Sequence, residues 1–315
     1  MRVGVTGATG FIGGALVPVL ARAGHDLVLV DDRSGPVRVE YPAWPALNAD
    51  FAGEPALNAL SDCDVVLHLG AISGVMACAN DPVRTARTNV EGTRQLVERC
   101  RSHRVALAFA SSLAVVGIPE RLPVTEATPP RPTHEYARQK AEGEQLISAP
   151  GREGAFPTAV VRMSNVYGSY VAEGAKIGKG NVLNVFLAQA RGGRLTVNAP
   201  GTQRRDFVHI DDVIAHWEAV LRWLRARSSN PSTATFNVAS GESYSVLEIA
   251  EKVCGIWSRT HPSAPTLRID LVPNPRAGVE LIAPEFVVSR VATERDLGIR
   301  CSHRLDDFLR AAAEA

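Results

Sequence analysis

The stretch "VTGATGFIG", residues 5–13, decides the predicted fold. It overlaps a short β-branched run, "RVGVT" (2–6), and leads into apolar residues at helical spacing over 11–23. Its three glycines recur at intervals of three: Gly7, Gly10 and Gly13. Glycine is needed where a chain turns tightly, where backbone must approach a phosphate, and where helix and strand pack closely. The stretch therefore predicts a strand–turn–helix unit whose helix N-terminus can bind the phosphates of a dinucleotide.

Strand-like and helix-like segments alternate through the first half of the chain. Nearly continuous apolar runs predict strands at 26–31, 64–69, 104–110 and 158–163, and helical patterns lie near 82–101 and 134–148. Apolar strands separated by helices are typical of a parallel sheet covered on both faces. We predict an α/β fold, a doubly wound parallel sheet (Rossmann) with a second, smaller α/β substrate-binding lobe.

The second half is less regular. Residues 171–181 are rich in Gly and Lys and predict a loop. Beyond them, helical patterns lie at 182–191, 211–227, 245–258 and 289–297. Strand patterns lie at 195–198, 206–210, 235–239 and 267–272. We predict an NAD-binding domain over 1–170 and a mainly substrate-binding lobe over 171–315, with segments near 206–245 returning to the first domain.

Bulk composition excludes several classes of function. The 315 residues carry a formal net charge of +1, which gives no general attraction to nucleic acid or to an anionic membrane. Five scattered cysteines without a CxxC pair predict reduced thiols, and neither a disulfide framework nor a metal site. The longest nearly apolar run, Val105 to Ile118, is shorter than the ~20 residues that cross a membrane. We expect a cytoplasmic protein with no nucleic-acid or membrane partner.

A carboxylate at the end of the second strand indicates the cofactor. Asp31 lies 24 residues after the first glycine of the turn, where it can bind ribose hydroxyls and repel a 2′-phosphate. This favours NAD over NADP. Asp32 is the less favoured substitute, and Arg33 is a counter-signal because it could accommodate that phosphate. The adenine is predicted to lie beside the residues after a third short strand, Asp50 and Phe51.

The stretch "YARQK" (136–140) carries the candidate chemistry. Tyr136 and Lys140 are four residues apart and share one face of a helix. A nearby cation favours the phenolate over the phenol, whose free pKa of ~10 is too high for a base. Ser111 and Ser112 follow a predicted strand, at the sheet edge where ligands bind. Ser112 could hydrogen-bond a substrate oxygen, and Lys140 the nicotinamide ribose; the alternative is a surface Tyr–Lys pair and two turn serines.

Taken together, these motifs resemble those of the extended short-chain dehydrogenase/reductases, in the NAD-dependent nucleotide-sugar epimerase/dehydratase branch. The resemblance covers nearly the whole chain. It rests on nine stretches in the family's order: "TGATGFIG", "DVVLHLGA", "TNVEGT", "SSLAVVG", "YARQK", "RMSNVYG", "GTQRRDFVHIDDV", "FNVASGESYSV" and "PRAGVE".

The resemblance implies a role for particular residues. The catalytic residues would be Ser112, Tyr136 and Lys140. NAD would be bound by Gly7, Gly10, Phe11, Ile12, Gly13, Asp31, Asp32, Asp50, Phe51, Leu69, Gly70, Ala71, Asn89, Ser111, Tyr136 and Lys140. A nucleotide sugar would be bound by Ser112, Tyr136, Asn165, Asn181, Val182, Arg205 and Arg276. His68 is predicted to be a packed histidine, and for Arg204 a surface role and a ligand role stay open.

Further expectations concern the activity and the assembly. Leu113 and Ala114 stand where the family's 4,6-dehydratases have Asp-Glu, which disfavours dehydration. The predicted function is an NAD-dependent epimerase of a nucleotide sugar, at carbon 4 of a UDP-hexose through a transient keto intermediate. The alternatives are an NAD(P)-dependent dehydrogenase or reductase of a sugar, sugar nucleotide or other secondary alcohol, and a non-catalytic dinucleotide sensor. Asn198 stands where relatives often carry an aromatic residue, which leaves the base open. The resemblance also suggests a homodimer through the helices near 82–101 and 134–148.

Overall fold

Seven parallel strands form the main sheet in the computed structural model, which describes residues 1–275 and 283–314. The strands of these residues are β1 (Arg2–Thr6), β2 (Asp26–Asp31), β3 (Leu47–Asn48), β4 (Val65–His68), β5 (Ala106–Ser112), β6 (Thr158–Met163), β7 (Asn165–Tyr167), β8 (Ser169–Ala172), β9 (Ala175–Gly178), β10 (Arg194–Asn198), β11 (Arg204–His209), β12 (Thr233–Val238), β13 (Ser243–Ser245) and β14 (Arg268–Val272). The main-sheet order is β3-β2-β1-β4-β5-β6-β12. The order changes direction between β1 and β4, which places a ligand crevice at their carboxyl ends.

Helices cover both faces of this sheet. They are α1 (Phe11–Arg22), α2 (Glu54–Ser61), α3 (Val75–Asn80), α4 (Pro82–Ala86), α5 (Thr93–His103), α6 (Glu135–Arg152), α7 (Val182–Ala190), α8 (Ile210–Arg225), α9 (Val246–Thr260), α10 (Val291–Leu297) and α11 (Leu305–Glu314). Helices α1 and α8 bury Leu16 and Trp217 in one core layer. Helices α2, α5 and α6 bury Leu60, Leu96 and Ile147 in the other. The doubly wound prediction is therefore confirmed.

The second lobe has its own core and small sheets. Strands β13, β11 and β7 form one sheet, β10 pairs with β14, and β8 with β9. Helices α7, α9 and α11 bury Phe186, Trp257 and Leu309 there. Helix α8 and strand β12 lie with the main sheet instead. The division into domains at residue 170 stays a prediction.

The loop predicted over 171–181 was wrong in part. Strands β8 and β9 form an antiparallel hairpin across most of it. Its turn is made by Glu173 and Gly174, both at positive φ (47° and 77°). Turns of this kind favour glycine, and the glycine content of the segment therefore led to the prediction of a loop. Among the described residues, no helix has the length and apolar character needed to cross a bilayer.

Candidate active site

The glycine turn after β1 has the shape that a dinucleotide phosphate requires. Gly7 has a φ of +68°, and a Cβ on it would lie 2.7 Å from the Gly70 nitrogen. A Cβ on Gly13 would overlap the Gly7 carbonyl oxygen. Gly10 caps α1 without a side-chain hydrogen bond, and the first turn of α1, which includes Phe11 and Ile12, holds no acidic residue. The N–H groups of this helix N-terminus are thus open to an anion, which fits the predicted cofactor.

Asp31 lies at the carboxyl end of β2, beside the same turn. Its Oδ2 accepts the Thr9 N–H at 3.0 Å and its Oδ1 accepts the Arg33 N–H at 2.7 Å. Each carboxylate oxygen retains a second lone pair that a ribose hydroxyl can use. The Arg33 side chain forms an ion pair with Glu40, 3.2 Å away. Asp32 is exposed and its carboxylate bonds to Ser34.

A chain of hydrogen bonds positions the loop after β4, which carries Leu69, Gly70 and Ala71. The Gly70 N–H donates to Thr6 Oγ1 at 3.0 Å, and Thr6 Oγ1 lies 2.7 Å from His68 Nδ1. On the other side, His68 Nε2 lies 3.0 Å from Thr93 Oγ1, whose hydroxyl donates to the Asn89 carbonyl oxygen. Thr93 has given its proton away, so His68 must donate through Nε2–H and accept from Thr6 through Nδ1. Burial lowers the pKa of His68 to about 3, consistent with this neutral form.

Asn89 joins this loop to the helix of the candidate catalytic residues. It lies in a π-helical segment, Arg87–Gly92, an irregularity that is frequent at functional sites. Its Oδ1 accepts the Ile72 N–H at 2.9 Å, and its Nδ2 donates to Gln139 Oε1 at 2.7 Å. Gln139, inside "YARQK", is a positioning residue that the sequence analysis did not single out.

The two residues predicted at the adenine lie differently. Phe51 is buried, with its ring edge-on to His68 at 4.7 Å between centroids. Its side chain therefore supports the loop after β4 from the core side. Asp50 is exposed, and its Oδ1 accepts the Ala52 N–H at 2.9 Å.

Ser112, Tyr136 and Lys140 lie where β5 ends and α6 begins. The Ser112 side chain interacts with the phenol of Tyr136 and accepts the Ala114 N–H at 3.2 Å. Burial raises the pKa of Tyr136 to about 12, and the hydrogen bond with Ser112 acts in the opposite direction. Burial also lowers the pKa of Lys140 to about 8. The prediction that the neighbouring cation lowers the pKa of the phenol was wrong, because burial and the nearby Cys78 raise it instead.

A buried ion pair lies directly behind these residues. Arg162 donates to both oxygens of Glu144, at 2.9 and 2.7 Å. Ser111, predicted to bind the cofactor, donates its hydroxyl to the same carboxylate at 2.5 Å. Glu144 was missed by the sequence analysis, although its position four residues after Lys140 was a usable helical signal.

The predicted substrate residues gather around β7. Asn165 is exposed and donates from Nδ2 to the Asp206 carbonyl oxygen at 3.0 Å. Asn181 caps α7 just before the half-buried Val182, and its Nδ2 donates to the Val166 carbonyl oxygen at 3.3 Å. Arg205 lies on the neighbouring strand β11. Strand β7 thus brings residues from two distant segments next to Asn165.

The sequence analysis also named Arg204 and Arg276. Arg204 forms an ion pair with Glu248 at 2.9 Å and donates to the Ser243 carbonyl oxygen at 2.7 Å. Its guanidinium therefore holds β11 to the start of α9. Arg276 lies outside the described residues, so its role stays a prediction.

Comparison with known proteins identifies the family. The model of the NAD dependent epimerase/dehydratase family matches residues 3–239. The chain belongs to this family. A UDP-glucose 4-epimerase of Streptococcus mutans is 30% identical over 278 residues, which cover 81% of this chain and 82% of that protein. Membership confirms the predicted family and NAD as its cofactor.

Solved structures agree with the fold over the whole chain. The UDP-glucose 4-epimerase of Thermus thermophilus, solved in complex with NAD, superimposes with a TM-score of 0.80 at 25% identity, covering 100% of this chain and 98% of that one. An NAD-dependent NDP-hexosamine 5,6-dehydratase of tunicamycin biosynthesis superimposes with a TM-score of 0.79 at 28% identity, covering 99% and 96%. Family members of similar distance therefore perform different reactions on nucleotide sugars.

Proposed function

We propose that the protein is an NAD-dependent epimerase of a UDP-sugar, acting at carbon 4 of a hexose. The observation that carries the proposal is the arrangement of Ser112, Tyr136 and Lys140 at the carboxyl edge of the sheet, with the apolar pair Leu113–Ala114 after Ser112. When bound, NAD accepts a hydride from the sugar carbon and returns it, and its oxidised nicotinamide ring adds a positive charge to the cleft.

The side chains perform the proton transfers. Tyr136 takes the proton of the sugar hydroxyl as the carbon is oxidised, and gives it back to the keto oxygen as the carbon is reduced. The Ser112 hydroxyl stabilises the phenolate and the reacting oxygen by hydrogen bonding. Lys140 contributes an ammonium held at the end of β5. The keto sugar rotates in the site between the two steps, so the hydride returns to its other face and the configuration at carbon 4 is inverted. Tyr136 returns the proton that it took, so the proton balance closes.

The remaining predicted residues divide between the two ligands. The glycine turn would hold the NAD pyrophosphate, and Asp31 the adenosine ribose. Asn165, Asn181 and Arg205 would hold the nucleoside diphosphate across the crevice. A guanidinium suits a diphosphate because its charge is permanent and its donors are planar.

Two rival reactions use the same fold. The family's 4,6-dehydratases remove water with the carboxyl groups of an Asp-Glu pair that follows the catalytic hydroxyl residue. Leu113 and Ala114 offer none, and the two nearby glutamates are engaged: Glu135 with Arg138 and Gln139, and Glu144 with Arg162. The second rival is a dehydrogenase or reductase, which uses Ser112, Tyr136 and Lys140 without the return of hydride.

One experiment separates epimerase from dehydrogenase. Purified protein with trace NAD is mixed separately with UDP-glucose, UDP-galactose, their N-acetylated forms and UDP-glucuronate. Proton NMR follows the sugars and absorbance follows NADH. We expect an epimer in excess of the NAD supplied, without accumulation of NADH. Oxidised sugar in proportion to NADH would establish the dehydrogenase instead.

The matched control is Tyr136→Phe, which keeps the aromatic ring and removes the hydroxyl group that exchanges the proton. We expect it to lose turnover while NAD and UDP still bind. Unchanged turnover in this variant would refute both enzyme readings, because each assigns the proton transfer to Tyr136.

The assembly and the compartment are also proposals. The exposed Val83 borders a groove of about 470 Å³ along the helices predicted to pair, lined also by Pro82, Ala86 and Val90. A homodimer through this face would cover it, and Val83→Glu should then shift the mass measured by light scattering to a monomer. Five free cysteines agree with a cytoplasmic protein.

A further inference from the structure

His134 begins the helix that carries Tyr136 and Lys140. It is the N-cap of α6, and its Nδ1 accepts the Ala137 N–H at 3.2 Å. N-caps are usually Ser, Thr, Asp or Asn, which accept this bond with a shorter side chain. An imidazole that accepts through Nδ1 carries its proton on Nε2, so its second nitrogen is a fixed donor.

The ring of His134 lies beside the phenol ring of Tyr136. It lies parallel to the Tyr136 ring, with 6.2 Å between centroids and 10° between planes. Burial lowers the pKa of His134, and the nearby guanidinium groups of Arg138 and Arg205 lower it further. Arg205 comes from β11 of the second lobe, so the imidazole is near residues on both sides of the cleft.

The second nitrogen of His134 has no hydrogen-bond partner among the described residues. Within residues 1–275 and 283–314, no acceptor hydrogen-bonds to its Nε2–H, whereas Nδ1 is used by the helix cap. The residue is only half-buried, so a ligand in the cleft can reach it. A neutral donor beside a guanidinium is compatible with a shared anion, because the two groups do not repel each other.

We propose that His134 Nε2–H binds the sugar-side phosphate of the nucleoside diphosphate. This inference rests on the proposed function. Tyr136 marks the reacting sugar carbon, and Arg205 is proposed to bind the diphosphate. The β-phosphate is the part of the diphosphate that is bonded to the sugar, so it lies between the reacting sugar and the rest of the nucleotide. His134 would thus fix the distance between the diphosphate and the oxidised carbon, in addition to capping α6.

Two variants separate these roles. His134→Asn keeps a cap acceptor in its Oδ1, which occupies the position of the imidazole Nδ1, but loses the far donor. His134→Gln places an N–H near the former Nε2 but is a poor cap. If His134 binds the phosphate, His134→Asn should bind UDP more weakly than wild type and have the same Tm. His134→Gln should bind UDP more tightly than His134→Asn does, but have a lower Tm than wild type. A residue that only caps the helix would show the same affinity in wild type and His134→Asn.

Isothermal titration of the NAD-loaded protein with UDP and UMP is the direct test. A lost hydrogen bond to a charged oxygen weakens binding about tenfold or more, so we expect this change for UDP in His134→Asn. UMP lacks the β-phosphate and should bind both proteins equally. The inference would be overturned if His134→Asn lost as much affinity for UMP as for UDP. It would also be overturned if this variant lost affinity for UDP-glucose but not for UDP.

This comparison does not depend on turnover. Suppose that the wild type epimerises no sugar but binds UDP tenfold more tightly than His134→Asn does. This result would refute the proposed function and still support the contact between His134 and the phosphate. If UDP does not bind, the same titrations use ADP, GDP and dTDP with their monophosphates. Binding of no nucleoside diphosphate would overturn the inference.

Discussion

The Lys140 ammonium donates a hydrogen bond of 2.8 Å to the Ala110 carbonyl oxygen near the end of β5. The same group lies 4.7 Å from the centroid of the Phe109 ring. Lys140 is thus attached to the strand that also carries Ser112, although it belongs to the helix that carries Tyr136. The contact holds α6 and β5 in one geometry, and it takes a charged group out of water.

The first prediction concerns pH. Burial lowers the pKa of Lys140 to about 8, so the ammonium is present below that pH and is lost above it. If the charge is needed, kcat should fall as pH rises through about 8. Lys140→Arg should have lower activity but no such fall, because a guanidinium stays charged. Profiles of kcat and KM from about pH 6 to pH 10 test this. If kcat of Lys140→Arg fell at the same midpoint, the fall would have to come from the titration of another group.

The second prediction concerns the buried pair behind the site. Glu144→Gln leaves the Arg162 guanidinium without its charged partner in a site where both residues are buried. Breaking such a pair costs about 3–5 kcal/mol, whereas an apolar replacement of both partners often costs less. We expect Glu144→Leu/Arg162→Met to be more stable than Glu144→Gln. Glu91→Gln, from the exposed pair with Arg94, should leave stability unchanged. Urea unfolding measures all three, and equal stability of Glu144→Gln and wild type would contradict the argument.

The sequence predicted the main sheet because its signals are local. Most of its strands are apolar runs, and the glycine spacing at 7–13 has one structural interpretation between a strand and a helix. The engaged partners of the site were not predictable in this way. Asn89 contacts Gln139, and Ser111 contacts Glu144, across large separations in the chain. Such pairs depend on how α6 packs against β5 and against the segment that carries Asn89, which no single segment encodes.

The pKa of Tyr136 shows the same limit for electrostatics. The spacing of Tyr136 and Lys140 predicted their shared location, but not the degree of burial, which decides the direction of the shift. Similarly, His134 occupies an ordinary cap position in sequence. Its ring stacks on Tyr136 at the start of α6, but its proximity to Arg205 emerges only when the second lobe is in place.

The third prediction concerns acid stability. Burial lowers the pKa of His68 to about 3 in the folded protein, against an ordinary 6.5. Between these values the unfolded chain binds a proton that the folded chain does not, so stability falls as pH drops from 6.5 towards 3. His68→Gln should have a smaller pH slope of unfolding free energy than wild type, whatever its stability at pH 7. The control is His103→Gln, which replaces an exposed histidine by the same residue. An unchanged slope in His68→Gln would show that His68 is not held neutral.

The fourth prediction concerns the choice between two adjacent carboxylates. Asp31 receives two backbone N–H groups beside the phosphate turn, whereas Asp32 is exposed and bonds only within its own turn among the described residues. Asp31→Asn keeps an oxygen for one of these N–H groups but loses the charge that favours ribose hydroxyls over a 2′-phosphate. NAD should therefore bind about tenfold more weakly, and the preference for NAD over NADP should narrow. Asp32→Asn should bind NAD and NADP with the same affinities as wild type. Titrations of each variant with NAD and NADP measure the effect. If Asp32→Asn were the variant that lost NAD, the ribose contact would belong to Asp32, and Asp31 would serve only to hold the turn at Thr9 and Arg33.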